Sequence, residues 1–242
     1  KNIVDRIINE FGYAKKINKN IIIEANKLRA FAETIPQKNL DKLNNKALWQ
    51  IYKKHNEIHN HYYTWCWIPV AADMFHNNLT NKVKEYLRQT GISEEKLSEF
   101  FITLTSPTKK SLIFIEQQGL LKIGEKIQKN NRKIIKQIQN DIKKHWQKYY
   151  YTKHLWVEGE YTIKDYEKQL REILSGPESC EEIIKRQSRE LKLLAIKKKK
   201  LLKELNLSRQ WRDVFYAFGD FMITKIYRRY AQIFAVYQMG NI

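Results

Sequence analysis

The strongest helical pattern in this chain runs from Pro107 to Tyr150, PTKKSLIFIEQQGLLKIGEKIQKNNRKIIKQIQNDIKKHWQKYY. Apolar residues recur there at three- and four-residue steps, and lysines and glutamines cover the other side. This spacing predicts an amphipathic helix that needs neighbouring helices to bury its apolar face. Pro107 suits the first turn of such a helix, and a polar gap at Asn130-Asn131 interrupts the pattern.

The same periodicity precedes this segment. Residues 3–32 predict one or two helices, separated at Gly12. Residues 40–68 predict another helix, which Pro69 ends or kinks because proline lacks the amide donor. Two short helices are expected between residues 81 and 101. The N-terminal half therefore reads as helical throughout.

The pattern continues towards the C-terminus. Thr162 with Asp165, and Ser179 with Glu182, are capping-box patterns that start two further helices. The second of these, residues 181–205, carries a stripe of leucines and isoleucines near heptad spacing, which predicts a hairpin arm packed on a partner helix. A final, aromatic-rich helix is expected at residues 209–239.

We therefore predict an all-α fold, an irregular helical bundle with a long helical hairpin arm. At most a short strand pair is expected near Leu155–Tyr161, where aromatic residues surround Gly159. The chain is interpreted as a single helical domain over residues 1–242, with a candidate subdivision near residues 150–176. The helical pattern reaches both ends, so we expect a piece of a longer multidomain chain, with a small protein cleaved from a tag as the alternative.

The composition bears on which classes of binding partner this chain has. The 242 residues carry a formal net charge of +19. Such a charge favours nucleic acid, a membrane surface or phosphorylated ligands. Lysine, asparagine and isoleucine are all abundant and have A/T-rich codons, so genome composition is an alternative source of the charge. Lysine also far outnumbers arginine, which would be the expected residue for bidentate phosphate contacts.

Two distant cysteines, Cys66 and Cys180, predict no disulfide framework and favour a reducing cytoplasm. The longest apolar run, residues 62–72, is too short to span a bilayer and contains Pro69. No signal peptide is recognisable. We therefore expect a cytoplasmic location and no membrane partner.

The segment His55–Asp73, HNEIHNHYYTWCWIPVAAD, has the most unusual composition. His55 and His59 are one helical turn apart, as are Glu57 and His61, and such pairs can bind zinc. The two pairs lie on adjacent faces, so no metal site is predicted. His59 and His61 are instead candidate polar residues at a helix interface. Cys66 between two tryptophans is expected to behave as a small hydrophobe.

No catalytic residue is predicted. The chain lacks a glycine-rich phosphate loop and a nucleophile-elbow motif, and only eight glycines occur. The best anion-binding candidates are Lys225, Arg228 and Arg229, which fall close together on one predicted helix. Two guanidinium groups and an ammonium can hold phosphate. The alternative is that they form ion pairs with acids such as Asp220 or Glu33.

Five stretches support a family resemblance: LRAFAETIP at 28–36, HNHYYTWCWIP at 59–69, LTSPTKKSLIFIEQQGLLKI at 104–123, KHLWVEGEYTIKDYEKQL at 153–170 and DFMITKIYRRYAQIFAVYQM at 220–239. Together they resemble the helical middle region of divergent phosphoenolpyruvate-utilising proteins, relatives of phosphoenolpyruvate synthase and pyruvate phosphate dikinase. The resemblance implies a helical linker or substrate-positioning domain of a phosphotransferase.

The same resemblance implies flanking partners, a nucleotide-binding domain and a mobile phosphohistidine domain. ATP and magnesium would be cofactors of the full-length protein, with none bound within this chain. No histidine here lies in the glycine-rich setting that a phosphohistidine domain provides. The resemblance therefore implies that this chain is part of an ATP- or phosphoenolpyruvate-dependent phosphotransferase but holds no complete active site, with a phosphorylated ligand as one candidate partner.

The alternative function is a basic helical nucleic-acid-binding protein. It would use the Lys133–Lys148 surface and the Lys197–Lys200 run for phosphate contacts, with Tyr149–Tyr151 available for base stacking. We interpret the Lys197–Lys200 run more simply as a solvated helix face. A third reading is a scaffold that binds a partner helix along residues 184–205.

Overall fold

The structure is a computed structural model, which describes residues 2–73, 76–131, 133–153 and 161–240. The described residues form helices and no strand, which confirms the all-α prediction. The predicted strand pair near residues 155–161 lies outside the described residues, apart from Tyr161. The α-helices are α1 (Ile3–Asn9), α2 (Tyr13–Ala32), α3 (Asn45–Asp73), α4 (Asn78–Gln89), α5 (Glu94–Thr105), α6 (Leu112–Lys129), α7 (Lys136–Tyr149), α8 (Ile163–Ser175), α9 (Cys180–Glu204) and α10 (Arg209–Met239).

The long helix α10 lies along α2, and α3 packs against α2 as well. These helices share the larger hydrophobic core, which also takes in α4 and α5. A second, smaller core joins α6, α7 and α8 through residues such as Ile123, Ile142 and Leu170. Helix α9 packs against α5 and α6, as expected for an arm with a narrow apolar stripe.

Several helix boundaries follow from local chemistry. Gly12 separates α1 from α2 in a left-handed conformation, at φ 78°, that glycine adopts without strain. Both predicted capping boxes form, because Thr162 and Ser179 each exchange hydrogen bonds with the acid three residues later. The final helix begins and ends as predicted, with the Ser208 side chain accepting from the amide of Trp211.

Three sequence-based boundaries differ. The helix containing Pro69 does not end there, and α3 continues to Asp73. Pro107 does not start a helix; α6 begins at Leu112, where the Ser111 hydroxyl accepts from the amide of Phe114. The pattern between Pro107 and Tyr150 is also not one helix. It breaks at the polar gap, where Asn131 takes a positive φ of 51°, and forms the two packed helices α6 and α7.

The lysine run of α9 was expected to be solvated, and for Lys198 this is wrong. Its side chain is only 1% exposed, and its ammonium donates to the carbonyl oxygens of Ser106, at 3.1 Å, and Phe215, at 3.0 Å. The long lysine stem lets the buried ammonium reach the C-cap carbonyl of α5 and a carbonyl within α10. Within the described ranges, every helix is too short or too polar to cross a lipid bilayer.

Candidate anion-binding site

The three predicted cations meet in one cleft between α3 and α10. Lys225, Arg228 and Arg229 line a cavity of about 250 Å³, which we call the cation cleft. They share one side of α10 because residues three and four apart are neighbours on a helix. The rest of the lining comes from Gln232 on α10 and from Tyr62, Tyr63, Cys66, Trp67 and Val70 on α3.

Hydrogen bonds fix the two walls of the cation cleft against each other. The Tyr62 hydroxyl donates to the carbonyl oxygen of Arg228 at 2.8 Å. Gln232 Nε2 lies 2.8 Å from the hydroxyl oxygen of Tyr63 and donates to it. Burial raises the pKa of Tyr62, so its phenol remains a neutral donor. The cleft is therefore preorganised by groups that are not themselves charged.

Arg228 is the central group of the cation cleft. Its Nη1 donates to the carbonyl oxygen of Cys66 at 2.8 Å. The neighbouring carbonyl, that of Trp65, has no helical donor because Pro69 lacks an amide hydrogen. Its buried Nε has no hydrogen-bond partner among the described residues. Burial lowers the pKa of Arg228 from its ordinary value, because the charged form is less well solvated there.

The acids that could have neutralised these cations are engaged elsewhere. Asp220 accepts from Lys109 at 2.6 Å, and Glu33 accepts from Arg29 at 2.7 Å. In the part of the chain that the structure describes, no carboxylate forms an ion pair with any cation of the cleft. A partly buried charge without a counter-ion is costly, and an incoming anion relieves that cost.

Cys66 lies at the floor of the cation cleft but is not set up as a nucleophile. Its side chain is buried, and burial raises the pKa of the thiol to about 12, although the charge of Arg228 acts in the opposite direction. A thiol with such a pKa stays protonated at neutral pH. The expectation that Cys66 is a small hydrophobe therefore agrees with its place in the core.

The two histidine candidates do not line the cation cleft. His59 packs its ring 4.3 Å from the ring of Tyr63, a wall residue, and 5.0 Å from that of His55. Burial, followed by the proximity of His55, lowers the pKa of His59 to about 4, so the ring is neutral at physiological pH. His61 is exposed to solvent on α3. The structure thus separates both residues from the three cations.

A buried charge cluster that helical spacing does not predict lies between α6 and α7. Glu116 is 1% exposed, with one carboxylate oxygen 3.4 Å from His145 Nε2 and the other 3.3 Å from Lys153 Nζ. Burial raises the pKa of Glu116, but hydrogen bonding with His145 and the charge of Lys153 lower it overall. Gly119 leaves room for the His145 ring, since a Cβ there would lie 3.0 Å from it. No signal in the sequence pairs residues 29 positions apart.

The residues proposed for nucleic-acid contact divide into buried and exposed sets. Tyr149 and Tyr151 are buried in the core, so the expectation that they are free to stack on bases is wrong. Lys197 pairs with Glu99 at 2.7 Å, which also reduces its availability. The lysines of α7, by contrast, remain exposed.

No group of three or more histidine, cysteine, aspartate or glutamate side chains in the described ranges is placed to share a metal ion. Comparisons with protein-family models, with characterised proteins and with solved structures found no match to this chain.

Proposed function

We propose that this domain binds a small phosphorylated ligand in the cation cleft. The observation that supports the proposal is the partly buried guanidinium of Arg228, which has no carboxylate partner among the described residues and lies beside Lys225 and Arg229. Guanidinium forks match phosphate oxygens in pairs, and the lysine ammonium adds a mobile point charge. Two arginines and a lysine complement a dianion better than a monoanion.

The size and walls of the cation cleft favour a small ligand. Its volume of about 250 Å³ is below the range of roughly 300–1,000 Å³ in which drug-sized ligands usually bind. A phosphate ester of a short organic acid fits this description better than a nucleotide does. The Trp67 side chain, about half exposed, offers an apolar wall for the organic part of the ligand.

The family resemblance gives this site a chemical context that stays a proposal. In that context the chain is the helical, substrate-positioning part of a phosphoenolpyruvate-synthase-like phosphotransferase. The ligand would then be a phosphorylated substrate, and flanking domains would hold ATP and magnesium and carry the phosphohistidine. This chain itself would bind and orient the ligand and would not form a bond to it.

The first test is calorimetric titration of the chain with phosphoenolpyruvate and, separately, with inorganic phosphate. Arg229→Glu places a negative charge in the cation cleft at an exposed position, so the fold should be preserved. We expect at least a tenfold loss of affinity, because one attractive contact is removed and one repulsive contact is added. Arg228→Lys should also weaken binding, since it keeps the charge but loses the fork.

Arg212→Glu is the matched control. Arg212 is exposed on the same helix, outside the cation cleft, and its replacement changes the net charge by the same amount. Affinity within twofold of wild type is expected for this variant. The proposal fails if the wild type shows no saturable binding, or if Arg229→Glu binds as tightly as wild type at matched stability.

Nucleic-acid binding is the second candidate, and the exposed lysines of α7 favour it. Lys143 and Lys144 are exposed, and neither forms an ion pair with a described carboxylate. A labelled single strand would then bind with an affinity that falls steeply between 50 and 200 mM salt. Replacing both lysines with glutamate should abolish this binding, whereas Arg229→Glu should reduce it only slightly.

A further inference from the structure

A larger groove lies between α2 and α10, on the other side of α10 from the cation cleft. Its cavity volume is about 630 Å³, within the range typical of sites for drug-sized ligands. The segment between α5 and α6 closes one side through Lys109 and Lys110. We call this feature the α2/α10 groove.

The floor of the α2/α10 groove is polar but internally satisfied. Thr224 and Asn18 are both buried, and the Thr224 hydroxyl donates to Asn18 Oδ1 at 2.9 Å. Asn18 Nδ2 in turn donates to the carbonyl oxygen of Ala217 at 3.1 Å. Buried polar groups that already bond one another form a rigid base and demand no partner from a ligand. Recognition must therefore come from the walls.

Most of the charged side chains of the wall are already hydrogen-bonded within the protein, although of these only Asp220 and Lys109 form an ion pair among the described residues. Asp213 accepts from the amide of Gly12 at 3.1 Å, and Asp220 accepts from Lys109 at 2.6 Å. Lys110 donates to Gln118 Oε1 at 2.9 Å.

Two further lysines line the α2/α10 groove. Lys15 and Lys19 are exposed and lie one helical turn apart on α2, and the ammonium group of neither forms a hydrogen bond or ion pair with a described residue. Two neighbouring ammonium groups that form no ion pair with a described carboxylate raise the local concentration of anions. An anionic group of a ligand therefore has a defined place on the α2 wall.

The opposite wall is aromatic. Tyr216 and Tyr227, both on α10, line the α2/α10 groove, and the Tyr216 side chain is 41% exposed. The buried ammonium of Lys198 lies 4.8 Å from the centre of the Tyr216 ring, a cation–π contact that helps to orient the ring. Aromatic faces favour offset stacking with a flat ring system.

We infer that the α2/α10 groove is a second ligand site, which takes an aromatic anion. The ligand combines a flat ring system, placed against Tyr216 and Tyr227, with a phosphate or carboxylate held by Lys15 and Lys19. This site differs from the cation cleft in size and in its cations, which are lysines only. It does not depend on the function proposed for the cation cleft.

The test uses 1-naphthyl phosphate as the probe, with binding followed by its fluorescence. The variant carries Lys15→Glu and Lys19→Glu, two exposed replacements that leave the helix core unchanged. The control carries Lys38→Glu and Lys42→Glu, which are also exposed, lie outside the groove and change the net charge equally. We expect saturable binding by wild type, about a tenfold loss in the variant and a change of less than twofold in the control.

A second variant, Tyr216→Ser, removes one of the two rings of the aromatic wall without replacing a cation, and it should weaken binding of the probe several-fold. Arg229→Glu shows which of the two sites binds the probe. This variant changes only the cation cleft, so naphthyl phosphate bound in the α2/α10 groove should keep its affinity. The inference is overturned if wild type does not saturate, if the control loses as much affinity as the variant, or if only Arg229→Glu weakens binding.

Discussion

Lys198 allows a quantitative test of the structure. Its ammonium is buried between α5, α9 and α10, with two carbonyl oxygens as its hydrogen-bond acceptors and no carboxylate of the described residues bonded to it. Burial lowers the pKa of Lys198 from 10.5 to about 8, an effect that the charge of Asp220 reduces and that of Lys109 reinforces. The folded state therefore releases this proton at a lower pH than the unfolded chain does.

The sign and size of the effect follow from that difference. Between pH 8 and 10.5 the unfolded chain binds the proton and the folded chain does not, so the free energy of unfolding rises with pH. Each pKa unit is worth about 1.4 kcal/mol, so the charged form costs about 3 kcal/mol at neutral pH. Over the window from pH 8 to 9.5, the expected gain in the free energy of unfolding is about 1.5 kcal/mol.

Lys198→Met keeps an unbranched side chain, one atom shorter, and removes the charge. Urea unfolding, followed by tryptophan fluorescence between pH 8 and 9.5, should show the wild type gaining about 1.5 kcal/mol relative to this variant. The comparison cancels other groups, such as the Cys66 thiol, whose raised pKa makes stability fall with pH above 9. At a single pH the difference in stability combines the loss of the buried charge with the loss of two hydrogen bonds, so only the pH dependence isolates the charge.

Lys197→Met is the control for this experiment. Lys197 is the adjacent exposed residue, paired with Glu99, and its loss should leave the pH dependence unchanged. If wild type and Lys198→Met show the same pH dependence, the ammonium of Lys198 is solvated and its placement in the core is incorrect.

Three further outcomes are expected. The free energy of unfolding should fall by about 1–2 kcal/mol as the pH drops from 6.5 to 5, because His59 binds a proton in the unfolded chain at a higher pH than in the folded one. In urea unfolding, His59→Gln should reduce this loss, and His61→Gln should not. Gly219→Ala should cost about 1–3 kcal/mol in chemical denaturation, since its Cβ would lie 3.0 Å from the Ser106 carbonyl oxygen; wild-type stability would contradict that close approach. Cys66 should react with a thiol reagent only at the rate of unfolding, and a fast reaction in the folded protein would show that its thiol is accessible.

Much of the secondary structure could be predicted because it depends on neighbours in the chain. Apolar spacing located the final helix, and the pairs Thr162–Asp165 and Ser179–Glu182 located two helix starts. The errors occurred where local signals compete. Pro107 is a good first residue for a helix, yet Ser111 caps α6 instead. Helix α3 continues through Pro69, and Arg228 donates to the carbonyl oxygen of Cys66 in the preceding turn.

Only the α10 wall of the cation cleft could be predicted from the sequence. Lys225, Arg228 and Arg229 are close in sequence, so helical spacing was enough to group them. Their aromatic wall on α3 could not be found in this way, because Tyr62 and Arg228 are 166 positions apart. The alternative partners Asp220 and Glu33 were equally plausible from sequence, and only the fold shows that each has another cation beside it.

The sequence by itself determined the helices, their apolar faces and most of their ends, because periodicity and capping act over three or four residues. The tertiary structure alone decided which charges are buried and which partners they meet. Lys198 illustrates the difference: within a run of four lysines nothing distinguishes it, but its position on α9 points it at the carbonyls of two other helices. Burial and pairing depend on distances between remote segments, and those distances exist only once the helices have packed.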